Sequence, residues 1–163
     1  MAQDIYDRTV SYIIENQEMF YRLAFSYVRD KDSALDVVQN AICKGLEKCY
    51  TMKNQDAIKT WFYRIVVNES LQYIRKNRRE ISGAEEKLPE QEYQEKAYDR
   101  DREVYEEVQK LPEPMKTVVV LHFFEELTLK QIAEITDTNL NTVKSRLYSA
   151  LRRLERELKE AAI

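Results

Sequence analysis

The stretch TLKQIAEITDTNLNTVKSRLYSALRRL, residues 128–154, carries the pattern that decides the fold. Thr128 followed by Gln131 fits a capping box, in which each side chain accepts a hydrogen bond from the other residue's backbone N–H, so a helix should begin there. The polar turn 137–139 ends this helix near residue 136, and the last turn residue is placed to cap a second helix. The stretch therefore predicts a helix-turn-helix. Apolar residues of the second helix recur at helical spacing and should point inward: Val143, Leu147, Ala150, Leu151, Leu154 and Leu158.

The second helix of this pair has a basic outer surface. Residues 140–153 hold four basic residues and no acid, although the whole chain has a net charge of −3. A recognition helix must be amphipathic, because one face packs on its own domain while the other enters the major groove. Basic residues near a helix end also stabilise the helix dipole, which is a structural alternative for Arg152 and Arg153. The candidates for DNA contact lie outside the apolar stripe: Asn141, Thr142, Lys144, Ser145, Tyr148, Ser149 and Arg152, with Arg146 near its edge.

Residues 58–79, IKTWFYRIVVNESLQYIRKNRR, form a second candidate surface on a predicted helix. Aromatic and basic residues alternate here, a pattern that suits single-stranded nucleic acid because aromatic rings stack on bases while cations hold the backbone. The alternatives are that Trp61 and Phe62 are core residues, which we favour for Trp61, and that the terminal basic run is a solvated helix end. Three polar residues four positions apart share one face of this helix: Arg64, Asn68 and Gln72.

Charge divides the chain into three parts. Between Glu80 and Glu107 there are eleven acids and four bases, a net −7, whereas the rest of the chain carries +4. Large apolar residues are scarce in the first part of this segment, so we predict an acidic linker over residues 80–98. It separates a helical domain at residues 1–79 from a second helical domain at residues 99–163.

Other patterns predict the helices of both domains. Asp32 or Ser33 is placed to cap a helix in the first domain. In the second domain, Pro114 is placed in the first turn of a helix whose apolar run extends to residue 124 and should be buried. We interpret His122, within that run, as a packed or partly buried residue. The apolar stripe of the helix in the first domain consists of Leu35, Val38, Ile42, Leu46 and Cys49.

Composition excludes several classes of protein. Two Gly and three Pro in 163 residues leave little of the chemistry of turns and strands, so we predict an all-α protein. No apolar run approaches the roughly 18 residues of a membrane span, and the N-terminus lacks the pattern of a signal peptide, so we expect a cytoplasmic location. Cys43 and Cys49 fit no metal spacing and are interpreted as small core residues, with a redox switch as the alternative. Without a catalytic or phosphate-binding motif, we predict no enzyme activity, no metal or other cofactor and no small-molecule substrate.

Three segments in order resemble the extracytoplasmic-function (ECF) sigma factors, a branch of the sigma-70 family of bacterial RNA polymerase. FYRLAFSYVRDKDSALDVVQNA is similar to regions 2.1 and 2.2, and TWFYRIVVNESLQYIRKNRR to regions 2.3 and 2.4. Residues 111–154 are similar to region 4, where TVKSRL is a family signature. RLAFSYV and EIT resemble the sigma-V type most closely. The resemblance implies two small helical domains, a region 2 bundle and a region 4 helix-turn-helix, joined by the acidic linker.

The resemblance also implies contacts at matched positions. Region 2.2 binds the clamp of the polymerase β′ subunit, which implies Asp36 and Gln39 as interface residues. The positions implied to melt and recognise the −10 element are Lys53, Asn54, Gln55, Lys59, Tyr63, Arg64, Asn68, Gln72 and Arg75. The positions implied to recognise the −35 element are Asn141, Thr142, Lys144, Ser145, Arg146, Tyr148 and Arg152.

The function that the resemblance implies is that of an alternative sigma factor. Its partners would be core RNA polymerase, through the β′ clamp and the β flap, promoter DNA, and an anti-sigma factor of the membrane-anchored kind that holds it inactive near the membrane. For the sigma-V type the implied signal is an envelope stress caused by lysozyme. Two alternatives stay open. A helix-turn-helix regulator that binds only duplex DNA would leave residues 58–79 unexplained, and a helical adaptor would use its basic faces only for solubility.

Overall fold

The computed structural model describes residues 2–80 and 102–161, and the secondary structure within these ranges is helical. This confirms the all-α fold class. The chain forms two compact units, Met1–Tyr93 and Gln94–Ile163. The predicted linker lies outside the described residues except for its first position, Glu80, so the domain boundaries stay predictions. No helix in the described part of the chain is both long and apolar enough to cross a membrane.

The first unit is built from four described helices. These are α1 (Ala2–Glu15), α2 (Gln17–Val28), α3 (Lys31–Lys48) and α4 (Ile58–Glu80). The helices α2, α3 and α4 pack on one another, and α1 packs on α3 and on the 3-10 turn that follows it. The two 3-10 turns between α3 and α4 are Cys49–Thr51 and Gln55–Ala57.

An aromatic cluster forms the centre of the first unit. Phe20 of α2 is fully buried, and its ring lies edge-on to those of Phe62 and Tyr63 of α4, with centroid distances of 4.8 and 5.1 Å. Tyr12 of α1 lies edge-on to the same ring at 5.9 Å. Such edge-to-face pairs add to the free energy gained by burial. One ring of α2 therefore contacts both α1 and α4.

The helix α3 begins earlier than predicted and turns a different face inward. Its N-cap is Asp30, whose carboxylate accepts hydrogen bonds from the backbone N–H and the hydroxyl of Ser33 at 3.0 and 2.6 Å. The prediction of Asp32 or Ser33 as the cap is therefore wrong. The predicted stripe is only partly right, because Val38 and Cys49 are buried whereas Leu35 is 47% exposed. The other residues that α3 buries are small or β-branched: Ser33, Ala34, Val37, Ala41 and Gly45.

Gly45 explains why small residues face inward. A Cβ built at this position would lie only 2.9 Å from Cε2 and 3.2 Å from Cδ2 of Phe62, whose ring is fully buried. Two polar contacts join the same helices, an ion pair of Lys44 with Glu69 and a hydrogen bond between the hydroxyls of Ser33 and Tyr73. The helices α3 and α4 thus approach closely at a point where no side chain fits.

One of the two cysteines is buried and the other is exposed. Cys49 is buried, as predicted, and its thiol lies 3.3 Å from the carbonyl oxygen of Leu46. Cys43 is exposed, so its interpretation as a core residue is wrong. The two residues are six positions apart, which is about 600° around a helix, so they cannot share one face.

The second unit contains four described helices, α5 (Arg102–Gln109), α6 (Glu113–Val119), α7 (Leu129–Thr136) and α8 (Leu140–Ala161). Pro114 lies in the first turn of α6, as predicted. A π-helical turn, Val120–Phe124, extends α6. The helix α8 contacts each of the other three, so the core of this unit lies along its inner face.

The apolar run at the end of α6 is buried over most of its length. Val118 to Leu121 are buried as predicted, whereas Phe123, at the end of the π-helical turn, is 52% exposed. His122 is half-buried, and its Nδ1 lies 2.8 Å from the carbonyl oxygen of Leu127. This confirms its interpretation as a packed residue.

Replacement of Gly45 by alanine tests the close approach of α3 and α4. Helix propensity alone would favour alanine by about 1 kcal/mol, whereas overpacking a filled core costs about 1–3 kcal/mol. Because the ring of Phe62 is fully buried and has little room to move, we expect Gly45→Ala to lower the free energy of unfolding. Urea unfolding followed by the fluorescence of Trp61, the single tryptophan, measures this change.

Cys43→Ala is the matched control, since it changes an exposed residue of the same helix and should alter the free energy of unfolding by less than about 0.5 kcal/mol. A Gly45→Ala variant that is more stable than the wild type would contradict the close approach.

Candidate nucleic-acid interface

The helix-turn-helix of the second unit is fixed at both ends of its turn. Thr128 Oγ1 accepts from the backbone N–H of Gln131 at 3.1 Å, and Gln131 Oε1 accepts from the N–H of Thr128 at 2.9 Å. This confirms the capping box. The helix α7 ends at Thr136, and Asp137 then adopts a left-handed conformation with φ of 52°, which aspartate tolerates better than most residues. Asn139 Oδ1 accepts from the N–H of Asn141 at 2.8 Å where α8 begins, as the sequence predicted.

The helix α8 presents one apolar and one polar face. Val143, Leu147, Ala150 and Leu154 are buried, as predicted. Leu151 is 37% exposed, so its predicted inward orientation is wrong, because it lies at the edge of the buried stripe. Two of the seven predicted −35 contacts, Thr142 and Arg146, are half-buried at the base of the polar face. The other five are exposed: Asn141, Lys144, Ser145, Tyr148 and Arg152.

The charges of α8 differ between its beginning and its end. The later turns contain ion pairs within the helix, Lys159 with Glu155 at 2.9 Å and Arg156 with Glu157 at 3.9 Å. Lys144 and Arg146 have no acid within four residues along the chain, so neither has a helical neighbour that could neutralise it. The first turns of α8 therefore form a positive surface suited to phosphate and base-edge contacts.

The helix α4 also has two faces. Its inner side buries Phe62, Val66, Val67 and Ser70, and the ring of Trp61 is half-buried. The interpretation of Phe62 as a core residue is confirmed. Four of the predicted −10 contacts are exposed along the outer side, and a fifth, Lys59, is exposed in the first turn of the helix. The four on the outer side are Arg64, Asn68, Gln72 and Arg75.

Tyr63 belongs to the core rather than to this outer face. Its side chain is fully buried, its ring packs on Phe20, and its hydroxyl lies 3.0 Å from Met19 Sδ. Tyr63 is thus not accessible to DNA in this conformation, and its −10 contact stays a prediction. Successive side chains on a helix point about 100° apart. The exposure of Arg64 therefore does not imply that Tyr63, the residue before it, is exposed.

The loop between α3 and α4 is the second part of the candidate −10 surface. Lys53 and Asn54 are exposed, and Gln55 is half-buried. Asn54 Oδ1 accepts from the backbone N–H of Asp56 at 3.0 Å, and Met52 is buried, so the loop is held on both sides of Lys53. Its exposed side chains are therefore attached to a fixed backbone.

Sequence reasoning missed two residues next to this loop. Arg8 of α1 donates from Nη1 to Gln55 Oε1 at 2.5 Å, a contact across 47 positions that no local pattern predicts. Tyr50 is 54% exposed and lies in the first 3-10 turn between α3 and α4, three residues before Lys53. Its exposed position could have been suspected from the mostly polar residues 51–56 that follow it.

A separate exposed face of α3 carries the two predicted polymerase contacts. Asp36 and Gln39 are both exposed, and Leu35 and Cys43 are exposed near them. Leucine beside an acid and an amide is a composition suited to a protein contact, because apolar side chains supply most of the free energy of association and polar groups supply specificity.

Comparison with known protein families matches both units. The family model described as "Sigma-70 region 2" matches residues 13–80, and "Sigma-70, region 4" matches residues 101–154. The RNA polymerase sigma factor SigV of Bacillus subtilis is 40% identical over 91% of this chain and 90% of its own. The ECF RNA polymerase sigma-E factor of Haemophilus influenzae is 30% identical over 76% of this chain and 73% of its own.

Two solved structures share the fold. The sigma factor RpoE of Bartonella quintana, in complex with the anti-sigma factor NepR, aligns with a TM-score of 0.72 at 22% identity over 91% of this chain and 95% of its own. CnrH, in complex with the cytosolic domain of CnrY, also aligns with a TM-score of 0.72, at 16% identity over 98% of this chain and 95% of its own.

Proposed function

Because this chain belongs to the ECF sigma factors of the sigma-70 family, we propose that it binds core RNA polymerase and directs initiation at its own set of promoters. The observation that carries the proposal is the pair of outward polar faces on α4 and α8, each on a helix that buries its opposite face. A duplex-only regulator would need the α8 face alone. We propose domain boundaries at 1–79 and 99–163, with the acidic linker at 80–98 between them.

The −35 element is the ligand proposed for α8. The exposed residues at its N-terminal end are short or amide side chains that can reach base edges, and the cations Lys144 and Arg152 can neutralise phosphates. Arg146 is half-buried, so its aliphatic part can pack on the domain while its guanidinium extends to the DNA.

The −10 element is the ligand proposed for α4 and the loop that precedes it. Arg64, Asn68 and Gln72 form an exposed row at intervals of four residues, and Lys53 and Asn54 extend that surface into the loop. Lys59 and Arg75 supply further positive charge toward either end of α4. With Tyr63 in the core, the exposed aromatic ring available for stacking near this surface is Tyr50.

The polymerase is the partner proposed for the α3 face, where Asp36 and Gln39 would contact the β′ clamp. In the second unit, the β flap is the proposed polymerase contact. We further propose that an anti-sigma factor controls the chain, as the anti-sigma factor NepR is bound to RpoE of Bartonella quintana in the solved complex. A membrane-anchored anti-sigma factor, a cytoplasmic location and a lysozyme-type stress signal complete the proposal. The chain would act without enzyme activity of its own.

Reconstituted transcription tests the proposed function. The purified chain is mixed with core RNA polymerase from the host, the complex is isolated by gel filtration, and run-off transcripts are mapped on host promoter fragments. We expect a stable complex and discrete transcripts that core polymerase alone does not make. Binding to promoter duplex without core polymerase, and without transcripts in its presence, would indicate a duplex-only regulator. Binding to neither would indicate an adaptor.

Modification of Cys43 tests the polymerase contact. Cys43 is exposed on the same face as Gln39, one helical turn away, whereas Cys49 is buried and should not react in the folded chain. We expect a bulky maleimide on Cys43 to weaken binding of core polymerase by at least about tenfold, which corresponds to about 1.4 kcal/mol. Fluorescence anisotropy measures the affinity. The Cys43→Ala variant treated with the same reagent should bind normally, and full affinity of the modified wild type would argue against a polymerase contact here.

Substitution of Arg64 and Asn68 by alanine tests the melting surface. We expect the double variant to bind core polymerase and promoter duplex as the wild type does, but to form open complexes at least about tenfold less, since a lost hydrogen bond to a charged group costs about 1.5–3 kcal/mol. Permanganate reactivity of unpaired thymines in the −10 element measures this. Lys31→Ala, which removes an exposed cation from the start of α3, is the control. Normal melting by the double variant would remove α4 from the proposed site.

Substitution of Lys144 and Arg146 by alanine tests the −35 surface. We expect initiation at promoters that depend on a −35 element to fall at least about tenfold, with unchanged binding of core polymerase, because each base contact contributes about 1–3 kcal/mol and each phosphate contact adds to the salt dependence. Run-off transcription on promoters with and without the −35 element measures the difference. Arg156→Ala is the matched control, because Arg156 is an exposed cation of the same helix that pairs with Glu157. Equal losses in both variants would indicate an effect of net charge alone.

A further inference from the structure

The helix α1 has a contact with the candidate −10 loop that the family comparison does not assign. The matched family range for the first unit begins at residue 13, so most of α1, including Arg8, lies before it. Arg8 Nη1 donates to Gln55 Oε1 at 2.5 Å. Gln55 is one of the residues proposed to contact the −10 element, so the side chain of Arg8 connects this helix to the proposed site.

Arg8 projects from a firmly packed part of α1. The next residue, Thr9, is fully buried, and its hydroxyl donates to the carbonyl oxygen of Ile5 at 2.7 Å. Ile13, one turn further on, is 4% exposed, and Tyr12 packs edge-on against Phe20. The backbone that carries Arg8 is therefore fixed to the core of the unit.

Gln55 is also held in place on its own side of the contact. The buried side chain of Met52 anchors the loop before it, and Asn54 caps the 3-10 turn Gln55–Ala57 through the N–H of Asp56. The backbone at Gln55 is thus restrained, and the torsions of its side chain are the remaining freedom. The contact with Arg8 restricts these torsions.

The chemistry of the pair determines which way the amide faces. A guanidinium group has five N–H donors and no acceptor, so only the amide oxygen of Gln55 can bind it. The amide nitrogen, with its two donors, must then point away from Arg8. Without Arg8, the group could turn over and present its oxygen instead.

We propose that Arg8 is a positioning residue that makes Gln55 present a hydrogen-bond donor to one base of the −10 element. This rests on the proposed −10 role of the loop. The matching ligand group is an acceptor on a base edge, such as a purine N7 or a carbonyl oxygen of guanine or thymine. The orientation of one amide would thereby set the base preference at one promoter position.

A double-mutant cycle tests this inference in the complete polymerase. Run-off transcription is measured on promoters that carry each of the four bases at each −10 position, for the wild type, Arg8→Ala, Gln55→Ala and the double variant. We expect Arg8→Ala to reduce the base preference at one position by about three- to tenfold, the range expected for one hydrogen bond. In the Gln55→Ala background, Arg8→Ala should change nothing further, because Arg8 acts through Gln55.

Two further variants distinguish an effect of the orientation of the Gln55 amide from an effect of charge or of protein stability. Gln55→Glu keeps an acceptor for Arg8 but loses the outward donor, so it should lose the base preference as Gln55→Ala does. Asp7→Ala changes an exposed neighbour on α1 and should keep the wild-type preference. Binding of core polymerase should be equal for all variants, which verifies that each is folded.

Three results would overturn the inference. If Arg8→Ala lowered transcription equally from all promoters, and did so also in the Gln55→Ala background, Arg8 would bind phosphate directly. An unchanged base preference in Arg8→Ala would show that the contact has no role. A wild-type base preference in the Gln55→Glu variant would show that residue 55 does not act as a hydrogen-bond donor to the base. A wild-type chain that directs no initiation would instead overturn the proposed function, on which this inference rests.

Discussion

The close contact of α3 with α4 at Gly45 constrains the rest of the first unit. Because Phe62 occupies the space where a Cβ would lie, the two helices meet over small residues, and each turns its larger polar side chains outward. The ion pair of Lys44 with Glu69 and the hydroxyl pair of Ser33 with Tyr73 bind the helices together at further points. The face proposed for the polymerase and the face proposed for −10 DNA therefore lie on two helices with one fixed packing arrangement.

In the second unit, helix caps rather than a close helix contact fix the arrangement of the helices. The capping box at Thr128, the left-handed Asp137 and the Asn139 cap fix where α7 ends and α8 begins, and the buried stripe of α8 then sets its rotation. Its acid-free first turns face outward as a consequence. Both units thus use amphipathic helices whose inner faces provide stability and whose outer faces are available for binding.

Sequence predicted most of the fold because its signals are local. The capping box, the turn at 137–139 and the stripe of Val143, Leu147 and Leu154 each depend on neighbours within a few residues, and all are present in the structure. The incorrect predictions concern residues whose burial is determined by tertiary packing. Leu35 and Cys43 are exposed because small residues of α3 meet α4. Packing also determines the burial of Tyr63, whose −10 contact stays a prediction, because its ring fits against Phe20. The contact of Arg8 with Gln55 links residues 47 positions apart, which no periodicity reveals.

The proposed function requires one chain to present two DNA-binding faces, one for melted and one for duplex promoter DNA. Site-specific crosslinking in the promoter complex measures this most directly, with a photoreactive group attached in turn at positions 68 and 145. We expect position 68 to crosslink to an unpaired strand of the −10 element and position 145 to duplex DNA at the −35 element. Crosslinks from both positions to the same element, or from neither to DNA, would contradict it.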